Sequence, residues 1–265
     1  MGMTRLLTIE EAAQHLNVSK TSLRRWTKLG TLPCVRVGAR QERRFMLQDL
    51  ERFLSRGGEQ QPLAPVAASG PTDPLVTLIE AAKHGVPRHV SLHFDHRDEL
   101  WRLFRPYVLD HLKRGAPMLY VHEENSRDDV LARLRSEGFD PDRLAEQGLL
   151  RLLVPAEAYL RTGSFAPERM IDFMEAAILE RRSAGHDAML ISGEMTWCLS
   201  GAPGVEGMIE YESRLNDLLA RYPHVTIVCS YDMNRLSGAI TLGALCSHPH
   251  VQLPDRLVPG YYLNP

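Results

Sequence analysis

From residue 88 onward, short apolar runs alternate with longer stretches of helical periodicity. The runs "HVSLHF" (89–94), "PMLYVH" (117–122), "LLRLLV" (149–154), "AMLISG" (188–193), "VTIVCS" (225–230) and "HVQL" (250–253) have the length and apolar content of buried strands. Between them the pattern predicts helices near 97–114, 126–137, 167–184, 205–221 and 235–246. Ser126 and Pro167 suit helix starts, and Gly115, Gly138 and Gly185 suit stops. Near-continuous apolar strands separated by helices specify a mainly parallel sheet covered on both faces. The expected body is one α/β sandwich over residues 75–265.

The first 56 residues follow a different pattern. Thr8 with Glu11 three residues later forms a capping box, and Ile9, Ala12, Ala13 and Leu16 give the helix it starts one apolar face. "NVS" turns the chain, and Ser19 caps a second helix that runs to Gly30. On that helix Leu23 and Trp26 face inward, while Lys20, Thr21, Ser22, Arg24 and Arg25 lie outward near its N-terminus. Short β segments follow around a turn at Gly38, carrying Arg36, Arg40, Arg43 and Arg44, and a third helix runs from Leu47 to about Leu54. This is the layout of a helix-turn-helix, whose second helix sets its N-terminal side chains on base edges. Residues 57–74, rich in Gly, Pro, Ser and Gln, read as a linker.

Charge sharpens this division. The whole chain carries a formal −2, but residues 1–58 hold 11 Lys and Arg against 5 Asp and Glu, leaving 20 against 28 in the remainder. A head at +6 on a body at −8 points to a polyanion partner for the head alone. No apolar run approaches the roughly 20 residues of a membrane span. The opening residues lack the apolar region of a signal peptide. Cys34, Cys198, Cys229 and Cys246 show no C-x-x-C spacing, so reduced thiols and a cytoplasmic location are expected.

The segment T-x-x-E-A-A-x-x-L-x-V-S, the L-x-x-W of the second helix and the basic wing ending R-R-F resemble the winged helix-turn-helix of the MerR and excisionase families, over about residues 5–55. MerR proteins follow this module with a long dimerising helix. Here the Pro- and Gly-rich linker follows instead.

Ligands of open α/β sheets bind beyond the carboxyl ends of the strands. Those ends carry His93, Phe94, Asp95 and His96; His122, Glu123 and Glu124; Glu194, Thr196 and Trp197; and Cys229, Tyr231 and Asp232. The turn after the first strand, "FDHRDEL", has no glycine and three acidic groups, so a phosphate loop and a dinucleotide fingerprint are both excluded. His89 and His93 share a strand face. Four residues along a strand separate them by roughly 13 Å, so they cannot hold one ion together. Other histidine pairings across strands stay open, and no metal, cofactor or catalytic residue is expected. Cys229 lacks a nucleophile elbow and reads as core.

The blocks "HVSLHFDHRDELWRLFRPYVLDHLKRGAPMLYVHEE", "ISGEMTWCL", "IEYESRLNDLL", "CSYDMNRL" and "SHPHVQL" resemble, in order, the MEDS family, the methanogen/methylotroph sensory domain. The resemblance spans about residues 86–263. It implies a RecA/KaiC-like α/β fold without a phosphate loop, and a sensor of a small, hydrocarbon-like molecule. The pocket residues it implies are His89, Glu194, Trp197, Tyr211, Glu212, Cys229, Tyr231 and Asp232, to which the strand ends add His93. The combined expectation is a ligand-responsive transcriptional regulator, a homodimer on double-stranded promoter DNA with no membrane partner. The alternatives are an enzyme using Glu194 and Asp232 as acid and base, or an adaptor with a vestigial sensor.

Overall fold

A computed structural model describes residues 6–16, 20, 23, 27, 32–37, 42–51 and 73–261. The chain divides into two units between Gly70 and Pro71.

In the first unit, β1 (Leu6–Leu7), β2 (Val35–Val37) and β3 (Glu42–Met46) form an antiparallel sheet in the order β1-β3-β2. Helix α1 (Ile9–His15) begins with the expected capping box: Thr8 Oγ1 accepts from the Glu11 amide at 3.1 Å, and Glu11 Oε2 accepts from the Thr8 amide at 2.8 Å. Residues 20, 23, 27 and 47–51 are helical. Ala12, Ala13, Leu23, Leu32, Phe45 and Leu50 make a small buried core. The inward placement of Trp26, the end of the second helix at Gly30 and the turn at Gly38 lie outside the described residues.

The second unit opens with α2 (Pro74–Lys83), N-capped by Asp73 with Pro74 at its first position. The linker expected over 57–74 therefore gives way to a helix at its last residue. There follow β4 (His89–Phe94), α3 (Arg97–Lys113), β5 (Met118–Val121), α4 (Arg127–Ser136), α5 (Pro141–Glu146), β6 (Leu150–Leu153) and α6 (Pro167–Ser183). The chain continues through β7 (Met189–Glu194), α7 (Met208–Arg221), β8 (Val225–Asp232), α8 (Gly238–Ser247), β9 (His250–Gln252) and β10 (Leu257–Val258). The sheet order is β10-β9-β4-β8-β7-β5-β6, with every pair parallel except β10 on β9. This is the mainly parallel α/β sandwich that the pattern specifies.

Strand alternation sorts the core into two layers. Val90, Leu92, Met118, Tyr120, Leu190 and Val228 point toward α2, α3 and α4. Val121, Ile191, Ile227, Cys229 and Tyr231 point toward α6 and α7. Register pairs His89 with Ile227, Ser91 with Cys229 and His93 with Tyr231, so these three β4 residues share the α7 face. Polar groups thus enter the layer otherwise filled by Met170, Met174, Leu215 and Leu218.

Candidate functional site

Four side chains from separate elements converge under α7. His89 opens β4, Cys229 lies midway along β8, Glu212 sits in the second turn of α7, and His248 directly follows α8. All four are buried, and one donor atom from each lies within 4.8 Å of the others. Glu212 Oε2 is 3.2 Å from His89 Nε2 and 3.2 Å from His248 Nε2, and Cys229 Sγ is 3.6 Å from His89 Nε2. The two imidazole centroids are 3.9 Å apart.

The outer ring nitrogens are held by neutral partners. Asn216, one turn after Glu212 and so on the same helix face, donates its Nδ2 to the Ser247 carbonyl at 2.7 Å. That fixes its Oδ1 toward His89 Nδ1, 3.1 Å away. His248 Nδ1 lies 2.8 Å from the Ala244 carbonyl. Both acceptors require N–H at Nδ1, which leaves the Nε2 lone pairs aimed at Glu212. Neither Glu212 oxygen, nor His248 Nε2, has a hydrogen-bond partner among the described residues.

Burial lowers the pKa of His89 to about 4, with the charge of His248 adding to it against the pull of Glu212. The Cys229 thiol is pushed well above its usual range by burial and then by the Glu212 charge.

An aromatic wall adjoins this cluster. Tyr231 meets the His248 ring edge-on at 5.7 Å. Trp197 lies between Tyr159, stacked at 4.5 Å, and Phe165, tilted at 4.5 Å, and both of these contact Tyr211 edge-on. On its outer side the cluster borders a cavity of about 510 Å³ whose lining includes His84, Pro87, Asn216, Cys246 and Ser247. Asn216 and Ser247 are therefore both cavity wall and support for the buried histidines.

The remaining expected pocket residues have other surroundings. Glu194 is engaged by the chain itself. Its carboxylate accepts from the Tyr120 hydroxyl, from the amides of Glu123 (2.8 Å), Glu124 and Asn125 (3.3 Å), and from Asn125 Nδ2 (3.0 Å). It fastens the turn between β5 and α4 to the end of β7. His93 stacks on Tyr231 at 5.4 Å with Nδ1 3.2 Å from Met233 Sδ, away from His89. Asp232 accepts from the Asn234 amide at 2.8 Å and closes the turn after β8. Glu194 and Asp232 thus both accept from backbone amides. The four-residue cluster lies against α7 and beside the start of β4. His248, Asn216, Tyr159 and Phe165 were not anticipated. The i, i+4 spacing of Glu212 and Asn216 was the one local signal available for any of them.

In the first unit, Arg36 on β2 stands opposite Arg43 on β3. Arg36 is exposed, and Arg43 and Arg44 are half-buried, with Arg44 paired to Glu42 at 2.8 Å. Lys20 is exposed and paired with Glu10 at 3.2 Å. Like charges directly opposite on a β ladder are destabilising. Thr21, Ser22, Arg24, Arg25 and Arg40 lie outside the described residues.

A small basic helix-turn-helix joined to an α/β unit with a buried polar site defines a two-domain regulator, with one unit for DNA and one for sensing. Residues 6–58 match a helix-turn-helix domain family, and residues 88–249 match the "MEthanogen/methylotroph, DcmR Sensory domain" family, MEDS. The chain belongs to the MEDS family. It is 31% identical over 251 residues to the "Transcriptional repressor DcmR" of Methylorubrum extorquens (strain DSM 6343 / CIP 106787 / DM4), covering 92% of this chain and 89% of that one. A KaiC-like protein from Pyrococcus horikoshii OT3 aligns with 63% of this chain and 69% of its own at 14% identity, with a TM-score of 0.45. Among the described residues, no helix is long and apolar enough to cross a membrane.

Proposed function

We propose that this protein is a ligand-responsive transcriptional repressor. The observation that carries the reading is the pairing, in one chain, of a helix-turn-helix and a MEDS domain matching a transcriptional repressor over 92% of its length. Lys20, Thr21, Ser22, Arg24 and Arg25 meet the major groove, and Arg36, Arg40, Arg43 and Arg44 meet phosphate or the minor groove. One short head makes too few contacts for specific binding, so a homodimer on a two-fold or repeated operator is part of the proposal.

The small molecule occupies the cavity beside Asn216 and Ser247. Its volume of about 510 Å³ falls within the range of small-ligand sites. From there it reaches the polar group of His89, Glu212, Cys229 and Tyr231 through Asn216, with Tyr211 and Trp197 as the apolar wall behind. A ligand represses or releases only by favouring one arrangement of the protein over another.

Gel shifts on the DNA upstream of the gene, with sizing of the complex, test the head. Arg24→Ala combined with Arg25→Ala is expected to weaken binding at least tenfold, and unchanged binding overturns the assignment. A melting-temperature screen of small organic molecules tests the body. Cys246→Trp, which fills the cavity from its open side, is expected to abolish the ligand-induced shift while DNA binding persists.

A further inference from the structure

We propose that His89, Glu212, Cys229 and His248 bind a single divalent metal ion of the zinc class. The first reason is geometric. Zinc bonds of about 2.0–2.1 Å to nitrogen and oxygen and about 2.3 Å to sulfur give a tetrahedron with edges of about 3.3 Å between N and O and about 3.6 Å between S and N. The structure places Glu212 Oε2 3.2 Å from each Nε2 and Cys229 Sγ 3.6 Å from His89 Nε2. These three edges match ligand-to-ligand spacings, and all four donor atoms lie within 4.8 Å of one another.

The second reason is electrostatic. Each histidine presents a bare Nε2, because its Nδ1 proton is committed to Asn216 Oδ1 or to the Ala244 carbonyl. Two nitrogen lone pairs and a carboxylate, buried within 3.2 Å contacts, repel one another, and a metal cation held among them relieves that repulsion. Neither carboxylate oxygen has a well-formed hydrogen bond among the described residues, which leaves both free to meet a cation. Histidine metal ligands characteristically donate the other ring N–H to a carbonyl or carboxylate, which fixes tautomer and ring orientation. Asn216, itself anchored to Ser247, and the Ala244 carbonyl provide that second layer here.

Ligand chemistry narrows the ion. Two imidazoles, one carboxylate and one thiolate suit zinc or cobalt(II) and disfavour calcium and magnesium, which take oxygen. Four protein ligands close the shell, so the ion's role is structural: it ties α7 and the α8–β9 turn to β4 and β8. Binding displaces the Cys229 proton, which leaves to solvent as the metal–sulfur bond forms. The site stands on these four residues alone and does not depend on whether the chain binds DNA.

The test uses the full chain without a histidine tag. Elemental analysis of the purified protein is expected to find one zinc-class ion per chain. After chelation, cobalt(II) titration is expected to saturate at one equivalent, with the visible spectrum of a tetrahedral site and a single-thiolate charge-transfer band. Cys229→Ser should remove the charge-transfer band. His248→Cys, which keeps a ligand at the position, should keep stoichiometric binding and strengthen the band. His93→Gln, equally buried on the same face, should bind as the parent does. Circular dichroism establishes that each variant folds, and the parent spectrum decides the question if one does not. A folded parent that takes up neither zinc nor cobalt, or a Cys229→Ser protein with an unchanged cobalt spectrum, overturns the proposal.

Discussion

Glu194 shows how far a residue's sequence setting differs from its role. A carboxylate at a strand end beside Trp197 reads as a ligand reader, yet it accepts one hydrogen bond from Tyr120 in β5 and four from the turn after it. Replacing one member of a buried charged network leaves the other polar groups unpaired, at a cost of about 3–5 kcal/mol. Glu194→Gln puts an NH₂ or a neutral oxygen against three backbone N–H groups. It is expected to lower unfolding stability by about 2–4 kcal/mol, measured as a fall in denaturant midpoint with no ligand present. A midpoint unchanged within error would leave the carboxylate free for another role. Of the buried cluster, His89, Glu212 and Cys229 were legible through the resemblance to the MEDS family, while by itself Cys229 reads as core. Their fourth partner was not legible. His248 reaches His89 only because β9 pairs beside β4, and no local spacing encodes that pairing. The legible pair, His89 and His93, is directed to different neighbours.

At the scale of elements, the strands were the most readable part of the chain, because a strand buried on both faces carries little besides apolar residues. "HVSLHF" is β4 to the residue, and "VTIVCS" needed only Tyr231 and Asp232 added. The two missed helices lack that redundancy. α5 is six residues long, too short for periodicity, and only its Asp140 cap and Pro141 announce it. α2 begins at the end of a Pro- and Gly-rich stretch, where composition outweighs the single Asp73-Pro74 signal. Gly193 within β7 illustrates a constraint that becomes visible only after packing. A Cβ there would overlap the Tyr159 hydroxyl, whose ring stacks on Trp197. Gly193→Ala must therefore push Tyr159 off that stack, an overpacking change worth about 1–3 kcal/mol. The expected outcome is a lower unfolding midpoint together with altered tryptophan fluorescence. Normal stability and fluorescence would mean that the wall behind Tyr211 yields without strain.

For the whole molecule, the separation of charge between the units determines how it meets DNA. A net −2 spread evenly would be repelled by a duplex, whereas a +6 head can release condensed counterions even while an acidic body is attached. The facing pair Arg36 and Arg43 on the wing makes this testable on the intact protein. Counterion release makes the logarithm of affinity fall linearly with the logarithm of salt, by about 0.9 per phosphate neutralised. Arg36→Ala and Arg43→Ala are each expected to reduce the steepness of that line by about one unit, and to weaken operator and unrelated DNA alike. Both changes lie in the first unit, so any ligand-induced melting shift of the body should persist. The measurement is fluorescence anisotropy of labelled duplexes across a salt series, with operator and scrambled sequences side by side. A slope unchanged by either substitution removes the wing from the DNA interface. A loss confined to the operator would place these arginines on base edges, where a phosphate contact cannot discriminate.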